Sequence, residues 1–173
     1  MTRYVALLRG INLGARNRVP MGKLREIVEQ QGATNVGTYI ASGNVVLDSN
    51  DTAKGLRTDL EHGIAEEFGF PVLVAVLKAA EVKQIVKRNP YKNAKPGALH
   101  VAFTVTPLTA TERAALANLD VAPEELTIGK SYVYLHMPAG FAGGPLTRAI
   151  DTLIGKRATI RNWRTVETLA TMV

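Results

Sequence analysis

The sequence predicts an α+β protein built from two sheet-and-helix subdomains. Short β-prone runs alternate with amphipathic helical segments, Gly and Pro separate these segments, and the second half of the 173 residues repeats the element order of the first. With 46% hydrophobic residues, the chain has ample material for a core. We expect each half to be a ferredoxin-like unit (βαββαβ), joined to the other by a short helix and a linker.

The first subdomain is predicted over residues 1–77. A buried strand breaks at Gly10, and Pro20 opens an amphipathic helix that Gly32 terminates. Ser42 and Gly43 join two β-prone runs into a predicted hairpin. The predicted ranges are 4–9, 35–41, 44–48 and 72–77 for strands, and about 20–31 and 52–68 for helices.

Residues 78–97 are predicted to be a connecting helix and linker, because Pro90 ends a short helix and Pro and Lys dominate the stretch that follows. The second subdomain is predicted over residues 98–173. Its strands are expected at 99–105, 126–128, 132–137 and 158–161, and its helices at 110–118 and 145–154. Asn162 caps a last helix, whose apolar stripe starts at Trp163, so we expect this tryptophan to be buried.

Composition excludes several classes of function. The chain has no cysteine, which excludes disulfides, thiol nucleophiles and thiolate metal sites. No apolar run approaches the roughly 18 residues that span a bilayer, and Met1–Gly10 lacks the features of a secretion signal. We therefore expect a cytoplasmic protein without a membrane partner. The three histidines have no metal-ligand spacing and no cofactor motif is present, so no metal or cofactor is predicted.

The net charge of +6 is concentrated in three basic segments, 1–25, 78–95 and 145–165. The first contains six basic residues and no acidic one, and each of the others contains a single acidic residue. If the segments converge, they form a basic surface that attracts anions. The alternative is three separately solvated faces.

Most stretches that resemble catalytic motifs fail on inspection. The stretch from Gly129 to Ser131 mimics the end of a phosphate-binding P-loop, but Glu124 stands where the first glycine is required and the segment joins two strands. Gly10 and Gly14 have the wrong spacing for a dinucleotide fingerprint. Ser42 lacks the flanking glycines of a nucleophile elbow.

The loop from Arg9 to Arg18 remains as a candidate binding site. It follows a strand, is rich in glycine and arginine, and leads into a helix N-terminus, a combination that favours a phosphate or carboxylate. The alternative is a structural loop whose glycines supply positive φ and whose arginines pair with acidic segments. The candidate anion-binding residues are Arg9, Asn12, Arg16, Arg18, Arg161 and Arg164.

Strand alternation suggests a second candidate surface. If the strands 99–105 and 132–137 are neighbours, one face is core and the other is a platform for ligand stacking. The alternative is that the other half or the helix at 79–88 covers this face. The candidate platform residues are His100, Tyr132, Tyr134 and His136.

Three stretches are distinctive: residues 8–12 (Leu-Arg-Gly-Ile-Asn), 38–45 around Ser42-Gly43-Asn44, and Arg161-Asn162-Trp163 with Thr165. They resemble the signatures of a known bacterial family, the domain of unknown function 1697. The resemblance runs essentially end to end. It implies an α+β fold of two subdomains and no established activity, substrate or cofactor. The family usually shows a Ser-Lys pair where this chain has Gly144 and Pro145.

Three hypotheses for function follow. The first is binding of an anionic partner, either nucleic acid or a phosphorylated small molecule, through a basic surface. The second is an enzyme of unknown reaction with a pocket between the two halves, in which Ser42, Asn44 and Asn162 join Asn12 as polar contacts. The third is a homodimeric interaction module that pairs through a sheet edge. Sequence alone does not choose between them.

Overall fold

The computed structural model describes all residues from Met1 to Val173. The chain forms two compact units, Met1–Gln84 with Leu169–Val173, and Ile85–Thr168. Each unit carries a four-stranded antiparallel sheet, and the chain contains six α-helices, so an α+β fold with two sheet-and-helix halves is confirmed. The last residues, which the sequence assigns to the second subdomain, lie with the first unit, where Arg3 Nη2 donates to the Met172 carbonyl at 3.2 Å.

The first unit has the element order that its sequence pattern predicts. Its strands lie in the order β2-β3-β1-β4, and all neighbours are antiparallel. Helix α3 begins in this unit and ends in the second. The elements are β1 (Thr2–Leu8), α1 (Met21–Gln30), β2 (Thr34–Tyr39), β3 (Asn44–Ser49), α2 (Ala53–Phe68), β4 (Val74–Lys78) and α3 (Ala79–Lys87).

Helix α2 illustrates why these segments fold as they do. The Thr52 hydroxyl accepts a hydrogen bond from the Gly55 amide at 3.0 Å and starts the helix, and Gly69 ends it with φ of 75°. Apolar residues four apart form its buried stripe, which packs with α1 on one face of the sheet. The buried stripe consists of Leu56, Leu60 and Ile64.

The second unit repeats this order, with its strands arranged as β6-β7-β5-β8 and all neighbours antiparallel. Single 3₁₀ turns at Pro96–Ala98 and Gly155–Arg157 precede its first and last strands. The elements are β5 (Leu99–Thr104), α4 (Ala110–Ala117), β6 (Glu125–Ile128), β7 (Tyr132–His136), α5 (Pro145–Ile154), β8 (Ala158–Asn162) and α6 (Trp163–Met172).

The core of the second unit lies between one face of its sheet and helices α4 and α5, where Ala102 and Leu135 pack with Leu116 and Ile150. Trp163 is 6% exposed, and its ring centroid lies 6.5 Å from that of Tyr134, so the expectation that the tryptophan is buried is confirmed. None of the helices has the length and apolar character needed to cross a membrane.

Candidate anion-binding site

The loop that joins β1 to α1, residues 9–20, has a backbone that ordinary residues rarely adopt. Gly10, Asn12, Gly14 and Asn17 all have positive φ, between 50° and 69°. Gly and Asn are the residues that tolerate this left-handed conformation best. The Arg16 amide donates to the Leu13 carbonyl at 3.3 Å and closes a tight turn at the tip of the loop.

Asn12 holds the loop together through its side-chain amide. Its Nδ2 donates to the Val19 carbonyl at 2.9 Å and to the Ala41 carbonyl at 2.7 Å, and its Oδ1 accepts from the Val19 amide at 2.9 Å. The Asn17 side chain adds a bond to the Gly10 carbonyl at 3.0 Å. Asn12 was predicted to contact an anion, but its side chain is bonded at both ends and positions the loop.

Half of the basic residues in the first basic segment are engaged within the first unit. Arg3 forms a salt bridge with Asp48 at 3.3 Å, and Arg25 donates to the Thr38 hydroxyl at 2.8 Å. Lys23 lies 3.4 Å from both Glu26 and Glu67. Hydrogen bonds to these two carboxylates raise the pKa of Lys23.

The other half, Arg9, Arg16 and Arg18, lies exposed on the loop itself. No carboxylate forms a salt bridge with Arg16 or Arg18. The predicted alternative, in which the loop arginines pair with acidic segments, therefore does not apply to these two. Their guanidinium groups stand in solvent on a backbone that Asn12 fixes.

The N-terminus of α1 adds a partial positive charge next to Arg18. Pro20 occupies the N-cap position and forms no side-chain cap, and the first turn contains no acidic residue. By contrast, Thr52 caps α2 and Thr109 caps α4. The first amides of α1 therefore have no side-chain acceptor, and the helix dipole favours an anion there.

A cavity of about 420 Å³ lies beside the loop and is lined by Arg9, Asn17, Glu61 and the 71–73 segment. The Arg9 amide donates to the Leu73 carbonyl at 2.9 Å and fixes the loop to this segment. Glu61 accepts a hydrogen bond from the Val74 amide at 2.9 Å and places a carboxylate in the cavity wall. The concave side of the loop therefore mixes both signs of charge, whereas Arg16 and Arg18 lie outside this cavity lining.

The predicted polar contacts Ser42 and Asn44 build the turn between β2 and β3. Asn44 is fully buried and donates to the Tyr39 carbonyl and the Ser42 hydroxyl, both at 2.9 Å. In the same turn, a Cβ on Gly43 would lie 2.7 Å from the Cβ of Leu8, so only glycine fits. Both polar side chains therefore have a structural role in this turn.

The predicted anion contacts of the second unit divide into a buried and an exposed residue. Arg161 is 8% exposed, and its Nη1 donates to the Thr159 hydroxyl at 2.7 Å and to the Ile160 carbonyl at 3.0 Å. Burial lowers the pKa of Arg161 to about 10. Arg164 is exposed, whereas Asn162 caps α6 by accepting from the Thr165 amide at 2.9 Å. Burial of Arg161 argues against contact with a large anion at the surface.

The predicted platform of Tyr and His side chains is wrong because its four residues do not share one face of the sheet. In the β5–β7 register, Val101 pairs with Tyr134 and His100 pairs with Leu135. Paired residues share a face, so His100 lies on the opposite face from Tyr132, Tyr134 and His136. The reason is that sequence alternation gives two faces for each strand but does not say which faces coincide.

The face that carries the tyrosines is also not an open platform. Tyr134 is buried, its hydroxyl donates to the Ile85 carbonyl at 2.6 Å, and burial raises its pKa. This contact comes from α3, in agreement with the alternative in which the 79–88 helix covers the face. On the opposite face, His100 packs on the Phe141 ring at 4.8 Å, its Nδ1 lacks a partner, and burial lowers its pKa.

Two acidic residues have structural roles that the sequence did not predict. Glu124 is buried and accepts from the Leu146 amide at 2.6 Å, which caps α5. Glu125 lies 2.9 Å from His136 Nδ1. The hairpin pairing of residues 125 and 136 is a signal that was available in the sequence, whereas the contact between Glu124 and α5 is non-local and left no such signal.

Residues 1–134 match the family described as protein of unknown function (DUF1697). The chain belongs to this family. The DUF1697 chain is also similar to the solved structure of a conserved bacterial protein, SP0830, from Streptococcus pneumoniae, with 25% sequence identity and a TM-score of 0.79. The match covers 99% of this chain and 98% of that one. No curated protein matches the sequence.

Proposed function

We propose that this DUF1697 protein binds nucleic acid through the phosphate backbone, using the loop between β1 and α1. The observation that carries the proposal is the pair Arg16 and Arg18, which are exposed, have no acidic partner and stand on a loop that Asn12 fixes. Arg9 and the uncapped start of α1 extend the same positive region. Arg164 in the second unit is a further candidate contact.

Phosphate recognition suits this loop for two physical reasons. A guanidinium presents a planar fork of donors that matches two phosphate oxygens, and it stays charged at all physiological pH values. A loop whose backbone is already ordered loses little conformational entropy on binding, so more of the interaction energy appears as affinity. Both reasons apply to Arg16 and Arg18.

The position of the arginines favours a chain of phosphates over a phosphorylated small molecule. Small ligands bind in concave pockets, but Arg16 and Arg18 do not line the cavity beside the loop, where Glu61 adds a negative charge. Exposed cations instead suit an extended polyanion, which supplies several phosphates to separate side chains. The predicted enzyme and homodimer hypotheses make no use of this feature.

The test is oligonucleotide binding measured by fluorescence anisotropy over a series of salt concentrations. Each phosphate contact contributes about 0.9 to the slope of log affinity against log salt on duplex DNA. The double variant Arg16→Ala with Arg18→Ala should therefore weaken binding and reduce this slope by up to about 2. Wild-type protein without measurable affinity for single or double strands at low salt would refute the proposal.

A matched control separates local contacts from overall charge. The double variant Lys23→Ala with Lys54→Ala removes the same charge from the first unit, but Lys23 is already paired with carboxylates and Lys54 lies on α2. Its slope should stay close to that of the wild type. An equal loss of slope in both double variants would show that binding follows net charge alone and that the loop is not the site.

Asn12→Ala tests whether order in the loop matters. The variant keeps every charge but removes the bonds to Val19 and Ala41, so the loop must be ordered at the moment of binding. We expect weaker binding with a nearly unchanged salt slope, and circular dichroism will establish that the variant is folded. Unchanged affinity would mean that the fixed geometry contributes nothing to binding.

We also infer that both units have the ferredoxin-like βαββαβ topology. The support is that each unit runs strand–helix–strand–strand–helix–strand and that the two sheets have corresponding strand orders, β2-β3-β1-β4 and β6-β7-β5-β8. An experimental structure with a different strand order in either unit would contradict this inference.

A further inference from the structure

A second cavity, of about 430 Å³, lies in the second unit between the 90–94 segment and His136. The His136 ring is fixed on two sides. Its Nδ1 lies 2.9 Å from Glu125 Oε2, and its face stacks on Tyr91 with the ring centroids 5.0 Å apart at 28°. Tyr91 is itself fixed by a 3.0 Å hydrogen bond between its hydroxyl and that of Thr127.

This arrangement determines which nitrogen of His136 can meet a ligand. A carboxylate only accepts hydrogen bonds, so the proton of the Nδ1···Glu125 contact belongs to Nδ1. No protein group forms a hydrogen bond with Nε2, and Nε2 is not buried. By contrast, Nδ1 of His100 is both unbonded and buried. Nε2 of His136 therefore reaches solvent, and His136 lines the cavity.

The charge around this cavity favours an anion. Residues 82–111 contain five basic residues and no acidic one, and Lys92 from this segment lines the cavity together with Asn93. The nearby carboxylate of Glu125 is engaged with Nδ1 of His136. The Lys92 ammonium and the Asn93 carboxamide are donors that suit the oxygens of a phosphate group, which carries nearly two negative charges near pH 7, and Nε2 of His136 donates to such an oxygen in the imidazolium form.

We propose that this cavity binds a small phosphorylated molecule, with the phosphate held by His136 Nε2, the Lys92 ammonium and the Asn93 side chain. Glu125 is a positioning residue, because it fixes the His136 ring from outside the cavity lining, and Tyr91 both stacks on the ring and lines the cavity. The site is separate from the β1–α1 loop and does not depend on the proposed nucleic-acid binding. The space in the cavity exceeds that of a phosphate ion, which leaves room for the organic part of the ligand.

The chain provides its own reference for this site. His62 on α2 also faces a carboxylate, with Nε2 3.3 Å from Glu66, but its side chain is 72% exposed. Neither the cavity beside the β1–α1 loop nor the cavity beside His136 includes it in its lining. A ligand that recognises any histidine–carboxylate pair would act on both residues, whereas a ligand of the cavity acts on His136 alone.

The experiment is a titration of the full chain with inorganic phosphate, followed by NMR of ¹⁵N-labelled histidine rings at constant ionic strength and pH in a phosphate-free buffer. We expect a saturable shift of the His136 ring nitrogens and none at His62. Lys92→Ala should weaken binding at least about fivefold, because it removes one charged donor at a partly exposed site. Lys95→Ala, a charge-matched control outside the cavity lining, should stay within about twofold.

Two results would overturn the proposal. One is a His136 shift no larger and no more saturable than that of His62, which would show that phosphate does not enter the cavity. The other is an equal effect of Lys92→Ala and Lys95→Ala, which would show attraction by the basic segment as a whole. The variant with both Arg16→Ala and Arg18→Ala should leave the His136 titration unchanged, so failure here and failure of nucleic-acid binding are separate outcomes.

Discussion

Trp163 offers the sharpest test of the packing in the second unit. It is the single tryptophan, it starts α6, and only 6% of it is exposed. A tryptophan buries about 150–250 Å² on folding, which at about 25 cal/mol per Å² corresponds to about 4–6 kcal/mol as an upper estimate. Because alanine keeps part of this burial, Trp163→Ala should reduce the free energy of unfolding by about 3–5 kcal/mol.

The assay is urea and thermal unfolding followed by far-ultraviolet circular dichroism, which does not depend on the fluorophore that the variant removes. For a chain of this length, 1 kcal/mol corresponds to about 2–4 °C, so the melting temperature should fall by about 6–20 °C. Trp163→Phe keeps an aromatic ring next to Tyr134 and should cost less than the alanine variant. Leu13→Ala, at a side chain that is 70% exposed, should change stability by less than about 0.5 kcal/mol.

An unchanged melting temperature for Trp163→Ala would refute this reasoning. It would mean that the indole does not contribute to the core and that its low exposure reflects contacts without energetic consequence. A loss as large for Leu13→Ala as for Trp163→Ala would be equally damaging, because burial would then not predict the cost of truncation in this chain.

Two further predictions concern polar contacts of the second unit. Arg157 bonds both carboxylate oxygens of Glu112 and holds the pKa of Glu112 at about 2, below its usual 4.5. A lowered folded-state pKa stabilises the fold above about pH 4.5, and this contribution is lost as pH falls through 2. Glu112→Gln should therefore cost about 1 kcal/mol at pH 7 and only a small part of that near pH 2 in urea unfolding. A pH-independent cost would contradict this assignment. Tyr134→Phe leaves the Ile85 carbonyl without its buried donor and should cost about 1–3 kcal/mol in the same assay, and a neutral effect would show that this hydrogen bond is dispensable.

Local patterns in the sequence account for most of the fold. The helices predicted at 52–68 and 145–154 are observed at Ala53–Phe68 and Pro145–Ile154, because helix periodicity and capping are properties of neighbouring residues. The predicted bounds of the other elements lie within a few residues of the observed ones. Contacts between distant segments lack such a signal, as the carboxylate of Glu124 shows when it caps a helix that starts 21 residues later.

The register of strand pairing explains the largest error at the candidate sites. Alternation places Tyr134 and His136 on one face of β7, but the pairing of Val101 with Tyr134 decides which face of β5 they share. Arg161 on β8 also pairs with Val101, so it lies on the same covered face of the sheet as Tyr134. A one-residue difference in register would have placed His100 beside the tyrosines, so the error is one of long-range pairing and not of residue chemistry.

The two units provide an internal comparison that supports a role for the β1–α1 loop. The corresponding connection in the second unit, residues 105–109, is shorter, and the helix that follows it starts with a complete capping box between Thr109 and Glu112. Arg157, which packs against this connection, donates hydrogen bonds to the Glu112 carboxylate and to the carbonyl and hydroxyl of Thr106. The second unit therefore has the same strand–loop–helix arrangement, but its arginine is paired with a carboxylate and its helix α4 is capped. A purely structural connection does not require the longer loop, the exposed arginines and the uncapped helix of the first unit, and these differences are the reason for placing the proposed phosphate contact on the β1–α1 loop.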